Sequence, residues 1–219
     1  MADLDGNTAA VWGERDGVGA AIAAALAAAG ADVAHESDGD VDSFLGAAAE
    51  RFGALDLAVI CVGGPGPAQS LAETDDRRWA RELDDQLGVA FRGVRRALGH
   101  MLPRGSGRIL VTTSIEAKLA RPGATPYVAA QHGIAGLVKS VAHEVGPQGI
   151  SVNALVCGPV VAGEDGGIDA ADLARIERGS IKRPNTPEEI AATAVALASP
   201  SMRSVTGTLF PVHGGTVPY

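Results

Sequence analysis

The chain has 219 residues, enough for one domain with a sizeable core and too few for two of ordinary size. Its net charge of −8 argues against nucleic acid and anionic membrane surfaces as partners, and its two cysteines provide no disulfide framework. The apolar run over residues 20–29 is short and alanine-rich, unlike a signal peptide or a membrane span. We therefore expect a single domain over residues 1–219 of a cytoplasmic protein.

Strand and helix patterns alternate along the whole chain. Six short apolar runs read as strands, over residues 8–12, 32–35, 57–62, 108–113, 151–156 and 208–212. Helical patterns lie between them, over residues 18–29, 41–52, 75–102, 127–145, 173–178 and 187–198. This alternation predicts an α/β fold with a doubly wound parallel sheet, in which ligands bind beyond the carboxyl ends of the strands.

The stretch from Gly107 to Gln131 carries the clearest chemical signal. Ser114 follows a strand and Tyr127 opens the next helix, so a hydroxyl and a phenol could converge on one substrate oxygen. One helical turn after Tyr127 stands the neutral Gln131. With no cation there, we expect the pKa of Tyr127 to stay near about 10, which leaves the phenol a good hydrogen-bond donor and a poor base.

Several segments in order resemble the short-chain dehydrogenase/reductase family, essentially from Thr8 to Gly215. They are WGERDGVG, LDLAVICVGG, GRILVTTS, the Ser114–Tyr127 spacing, GISVNALVCGP and VTGTLFPVHGG. The resemblance implies a Rossmann-like sheet, a nicotinamide site and a Ser–Tyr–Lys reaction centre assisted by an asparagine. It further implies dimers or tetramers built on the helices over residues 75–102 and 127–145.

Carried over residue by residue, the resemblance places Ser114 and Tyr127 at the catalytic serine and tyrosine positions. Gln131 stands at the lysine position and Gln86 at the asparagine position, so both family groups are replaced. The cleft beside them would be lined by the substrate-pocket candidates Cys61, Gly64, Glu116, Cys157 and Pro159. Buried, reduced thiols are the simpler interpretation of both cysteines, and Glu116 is most simply part of a solvated loop. No cluster has metal-ligand spacing.

The residues that the resemblance assigns to the nucleotide site depart further from the family pattern. The remaining nucleotide-site candidates are Gly13, Arg15, Gly17, Gly19 and Gly63. Glu14 and Asp16 would repel a pyrophosphate and only Arg15 would attract it, whereas Glu36 or Asp38 could serve as ribose ligands. Trp12 either fills the vacated pyrophosphate space or packs against the first helix.

A deletion adds to these losses. Only 25 residues lie between Gly30 and Asp56, enough for one strand and one helix where the family fits two of each. The sheet should therefore lack one edge strand and helix between the second and fourth family strands, at the adenosine pocket.

Taken together, these losses favour an enzyme that works without NAD or NADP. Ser114 and Tyr127 would form a two-donor clamp on a carbonyl oxygen, supporting cyclisation, elimination or aldol-type chemistry on a small carbonyl or hydroxyl compound, for example in bacterial secondary metabolism. Two alternatives stay open: a catalytically silent subunit that pairs with an active family member, and an NAD(P)-dependent oxidoreductase with unusual cofactor contacts.

Overall fold

Six parallel strands form one sheet in the computed structural model, which describes residues 4–161 and 168–217. The strands are β1 (Thr8–Trp12), β2 (Asp32–Glu36), β3 (Leu57–Ile60), β4 (Gly107–Ser114), β5 (Ile150–Cys157) and β6 (Leu209–Val212). The helices are α1 (Val18–Ala28), α2 (Val41–Phe52), α3 (Asp76–Leu83), α4 (Val89–Met101), α5 (Thr125–Val145), α6 (Ala170–Arg178) and α7 (Pro187–Ala198). The predicted Rossmann-like parallel sheet is confirmed.

The strand order is β2-β1-β3-β4-β5-β6, so the chain winds in opposite directions from β1. Trp12 at the end of β1 is in register with Glu36 of β2 on one side and with Ile60 of β3 on the other. A crevice opens outside the carboxyl ends of the strands at such a switch point. The loops that follow β1, β3, β4 and β5 all reach this edge.

Alternate residues of each strand point to opposite faces, and the two faces bury separate clusters. One cluster joins Val11 and Val59 to α1 and α7, and the other joins Ile60 and Val111 to α2, α4 and α5. Trp12 belongs to the second cluster, where its ring lies 5.8 Å from that of Phe44 on α2, so neither sequence-based interpretation of this residue was right. None of the described helices is long and apolar enough to cross a membrane.

The predicted loss at the sheet edge is confirmed. In the described residues, β2 has β1 as its only neighbour, and the single helix α2 connects β2 to β3. The Asp40 side chain caps α2 by accepting from the Ser43 backbone N–H, and Gly53 ends the helix with a φ of 72°. These two residues set the ends of α2. Glu36, the last residue of β2, lies at the outer rim of the crevice.

The predicted helix over residues 75–102 is present over residues 76–101, but it is not α-helical throughout. A π-helical turn, Asp84–Gly88, separates α3 from α4. A Cβ atom at position 88 would lie 2.2 Å from Asp84 Oδ1, and Arg92 pairs with the same carboxylate oxygen at 2.6 Å. The extra residue in the π turn shifts the helical register. The side chain of Gln86 is buried there against Gln131 of α5.

Candidate active site

A cleft of about 320 Å³ lies at the carboxyl ends of β1, β3, β4 and β5. It contains most of the candidate residues from the sequence: Gly17, Cys61, Gly63, Gly64, Ser114, Glu116, Tyr127, Gln131, Cys157 and Pro159. Gln86 lies behind this wall in contact with Gln131, and Gly13 and Arg15 line a neighbouring pocket of about 410 Å³. Gly19 is packed beneath the turn against Gly13.

Ser114 and Tyr127 come together as the sequence predicts. Ser114 is the last residue of β4, and Tyr127 lies in the first turn of α5, which Pro126 helps to start. Tyr127 is only 4 % exposed. Burial raises the pKa of its phenol far above the usual value; a hydrogen bond with Ser114 opposes this shift, and the negative charge of Glu116 adds to it. The expectation of an ordinary pKa near 10 was therefore wrong, because it left out burial.

Gln131 is wholly buried and holds the site together through its amide. Its Oε1 accepts from the Thr113 hydroxyl at 2.7 Å and from the Ser114 backbone N–H at 3.1 Å. Its Nε2 donates to Gln86 Oε1 at 3.2 Å, and Gln86 Nε2 lies 3.4 Å from the Gly64 carbonyl. This amide chain occupies the place that the family resemblance assigns to a lysine and an asparagine, and it is neutral throughout.

Glu116 is not part of a solvated loop. Its side chain is 4 % exposed, and its Oε1 contacts Arg175 at 2.9 Å and Arg121 at 3.3 Å. Its other oxygen accepts a short hydrogen bond from the Ser114 hydroxyl, while the Glu116 backbone N–H donates to Ser114 Oγ at 3.0 Å. A buried carboxylate therefore lies directly behind the serine of the cleft.

An ion-pair cluster around Glu116 was missed in the sequence. Arg121 also pairs with Asp172 at 2.9 Å and with Asp169, and Arg175 contacts Asp172 at 3.4 Å, so α6 is fastened to the segment after β4. The spacing of Asp172 and Arg175 on one helix face was the available signal. Nothing in the sequence pairs them with Glu116, more than fifty positions earlier.

The glycine turn after β1 retains a close-packed geometry. A Cβ atom at Gly19 would lie 2.8 Å from the carbonyl carbon of Gly13, and one at Gly13 would lie 2.6 Å from Cys61 Cβ. Gly17 precedes α1 with a φ of 146°, and no side chain caps the first backbone N–H groups of this helix. Such a turn lets a phosphate approach the backbone at a helix N-terminus.

The Arg15 side chain points away from the glycine turn and toward the end of β2. Its guanidinium contacts Glu36 at 3.0 Å and Asp38 at 3.2 Å, on a solvated surface. Backbone N–H groups of Ser37 and Asp38, followed by the charge of Arg15, lower the pKa of Glu36. The carboxylate of Glu36 thus stands beside the glycine turn, at the position from which an acidic residue reads a ribose.

Both cysteines border the cleft as inert thiols. Burial raises the pKa of Cys61 well above its ordinary value and that of Cys157 to about 12, and the carboxylate of Glu14 acts in the same direction. A thiol with a raised pKa is a poor nucleophile at neutral pH. The interpretation of Cys61 and Cys157 as reduced packing residues remains the simpler one.

A doubly wound sheet with a glycine turn at its switch point defines the nucleotide-binding α/β class. A family model described as enoyl-(acyl carrier protein) reductase matches residues 35–217. The chain belongs to the short-chain dehydrogenase/reductase family, as the resemblance predicted.

Curated relatives and solved structures cover nearly the whole chain. The cis-4-hydroxycyclohexanecarboxylate dehydrogenase of Sinomonas cyclohexanicum is 35 % identical over 240 residues, covering 94 % of this chain and 95 % of that one. A D-beta-hydroxybutyrate dehydrogenase of Cupriavidus necator is 31 % identical, with 98 % and 99 % covered. A Burkholderia cenocepacia short-chain dehydrogenase in complex with NADP has a TM-score of 0.87 and 27 % identity, with 97 % and 98 % covered.

These comparisons contradict the preference for a reaction without a nicotinamide cofactor. The relatives are named dehydrogenases and reductases, and one solved neighbour holds NADP. The preference gave too much weight to lost side chains. Among the described residues, the close approach of Gly13 and Gly19 and the uncapped N-terminus of α1 leave room for a phosphate at the backbone, while the carboxylates of Glu14 and Asp16 line the same cleft and oppose it.

Proposed function

We propose that the protein is an NAD(P)-dependent oxidoreductase that interconverts a small hydroxyl compound and its carbonyl counterpart. The observation that carries this proposal is one crevice that holds both the glycine turn and the Ser114–Tyr127 pair. Membership of a family whose named relatives are dehydrogenases supports the same reaction class. A cofactor bound there supplies or accepts a hydride.

Three parts of the chain would hold the dinucleotide. The N-terminal backbone of α1, after Gly17, would take the pyrophosphate, and Glu36 would accept from ribose hydroxyls. Gly63 and Gly64 leave open backbone along the cleft wall between these two points and Ser114. The missing edge strand and helix leave the outer side of Glu36 to solvent, so we expect moderate affinity.

At the reacting end, Tyr127 would donate a hydrogen bond to the substrate oxygen. Burial keeps this phenol protonated at neutral pH, so it suits a hydrogen-bond donor better than a base. Gln131 fixes the adjoining Ser114 backbone and Thr113 through its amide oxygen. The amide chain therefore orients the pair, while the charge that a lysine would provide is absent from it.

The proposal is tested first by titrating the protein with NADH and NADPH in a calorimeter. We expect NADH to bind in roughly the micromolar range and NADPH about tenfold more weakly, because Glu36 and Asp38 repel a 2′-phosphate and share Arg15. Glu36→Gln should weaken NADH binding by about tenfold and reduce the preference for NADH over NADPH. The exposed Glu50→Gln on α2 is the matched control. No binding of either dinucleotide at about 1 mM would contradict the proposal.

Turnover is measured as NADH formation from NAD⁺ and a panel of secondary alcohols. Names of the relatives suggest cis-4-hydroxycyclohexanecarboxylate and 3-hydroxybutyrate, and cyclohexanol adds an uncharged probe. Glu116 and Asp172 in the cleft lining are paired with arginines, whereas Glu14 and Asp16 have no arginine or lysine partner among the described salt bridges, so we expect the uncharged alcohol to compete well with the carboxylates.

We also propose a homodimer or homotetramer built on α3–α4 and α5. Trp79 and Phe91 are exposed there, 38 % and 47 %, and border an apolar groove of about 440 Å³. Phe91→Asp should weaken self-association by about thirtyfold or more, the usual cost of losing an aromatic anchor, as measured by analytical ultracentrifugation. Leu71→Asp changes another exposed apolar residue, 58 % exposed and outside these helices, and should leave association unchanged. Equal effects of the two variants would exclude this interface.

A further inference from the structure

The Ser114 hydroxyl has a hydrogen-bonding arrangement that differs from that of a simple donor in an oxyanion clamp. A serine hydroxyl carries one proton and two acceptor sites. Its proton is directed to the Glu116 carboxylate in a short hydrogen bond, and one acceptor site takes the Glu116 backbone N–H at 3.0 Å. One acceptor site remains for a proton from a substrate hydroxyl or from the Tyr127 phenol.

The carboxylate behind Ser114 is built to stay in place. Arg175 and Arg121 both contact Glu116 Oε1, which leaves Oε2 for the serine. Asp172 holds the same two guanidinium groups from α6. Together with the Tyr127 phenol, these are the charged and titratable groups around Glu116 that the described contacts show.

We propose that Glu116 is the proton acceptor for alcohol oxidation and that Ser114 relays the proton to it from the substrate hydroxyl. The inference rests on the proposed oxidoreductase function. The substrate O–H proton passes to Ser114 Oγ while the Ser114 proton passes to Glu116 Oε2. The carbon–oxygen double bond forms as the carbon gives up hydride, which an oxidised nicotinamide cofactor bound in the crevice would accept, and Glu116 then releases its proton to solvent.

This arrangement supplies the base that the rest of the site lacks. Tyr127 is a poor base because burial keeps it protonated, and the amide chain of Gln131 and Gln86 carries no titratable group. In the resting site Ser114 accepts from a substrate and has no proton left to offer a carbonyl. The cleft should therefore bind an alcohol in preference to the matching ketone.

Glu116→Gln tests the proposal, because glutamine keeps the shape but cannot take up a proton. We expect kcat for alcohol oxidation with NAD⁺ to fall about 10²–10³-fold while the Kd for NADH stays unchanged. Glu116→Asp keeps a charge for both arginines and should lose about tenfold, so it carries the test if the glutamine variant does not fold. Asp169→Asn keeps the cap of α6, removes one ion pair of Arg121 and should retain kcat.

A binding measurement gives a second readout that needs no turnover. Saturation-transfer NMR of cyclohexanol and cyclohexanone on the cofactor-free protein should favour the alcohol in the wild type and lose this preference in Glu116→Gln. An unchanged kcat in that variant, or an equal preference for the alcohol in both proteins, would overturn the proposed proton relay. Failure of the wild type to bind NADH would instead count against the proposed function, and the alcohol preference would still report on Glu116.

Discussion

Replacing Tyr127 by phenylalanine is expected to lower kcat about 10²–10⁴-fold in either direction of the reaction. The variant removes the phenol O–H at the mouth of the cleft and keeps the buried ring. Because burial raises the pKa of Tyr127 far above its usual value, the loss should be nearly independent of pH across the neutral range. Steady-state rates with NAD⁺ and cyclohexanol, measured at several pH values, check this.

Ser201→Ala is the control, because it removes an exposed hydroxyl that does not line the cleft. This variant should retain kcat within about twofold. NADH affinity of Tyr127→Phe should equal that of the wild type, since the phenol is assigned to the substrate oxygen. Full turnover by Tyr127→Phe would remove this residue from the mechanism.

Gln131→Leu is expected to lower the free energy of unfolding by about 3–5 kcal/mol. Leucine leaves the Thr113 hydroxyl, the Ser114 backbone N–H and the Gln86 side chain without their buried partner, and each such group costs about 1–3 kcal/mol. For a chain of this size the melting temperature should fall by roughly 10 °C or more. Calorimetric or denaturant unfolding measures the change.

Gln148→Leu, at an exposed position after α5, should change stability by less than about 0.5 kcal/mol and serves as the control. If Gln131→Leu were as stable as the wild type, the amide chain would have no structural role.

The sheet could be predicted from the sequence because buried parallel strands leave continuous apolar runs. The run before Cys61 and the run before Ser114 are of this kind, and their strands lie side by side as β3 and β4. The π turn at Gln86 could not be predicted, because it depends on Asp84 meeting Arg92 in three dimensions and not on residue preference. The helix therefore has the predicted ends and an unpredicted register.

In the site, sequence spacing alone was enough to predict that Ser114, Tyr127 and Gln131 lie close together. The burial of Glu116 depended on Arg175, which follows far along the chain, so a local sequence pattern made the carboxylate look solvated. The error on the cofactor had a related cause. The absence of family side chains was visible in the sequence, whereas the close packing of Gly13 against Gly19 became visible only in three dimensions.

The single helix between β2 and β3 indicates which parts of this fold can be lost. β2 is a five-residue edge strand that begins at Asp32 and ends at Glu36, and such charges discourage a second chain from pairing with an open edge. Removing an outermost strand breaks one ladder only, whereas removing an inner strand would break two and divide the core. Doubly wound sheets should therefore shorten from the rim inward, and their ligand sites should erode first at the end farthest from the reaction.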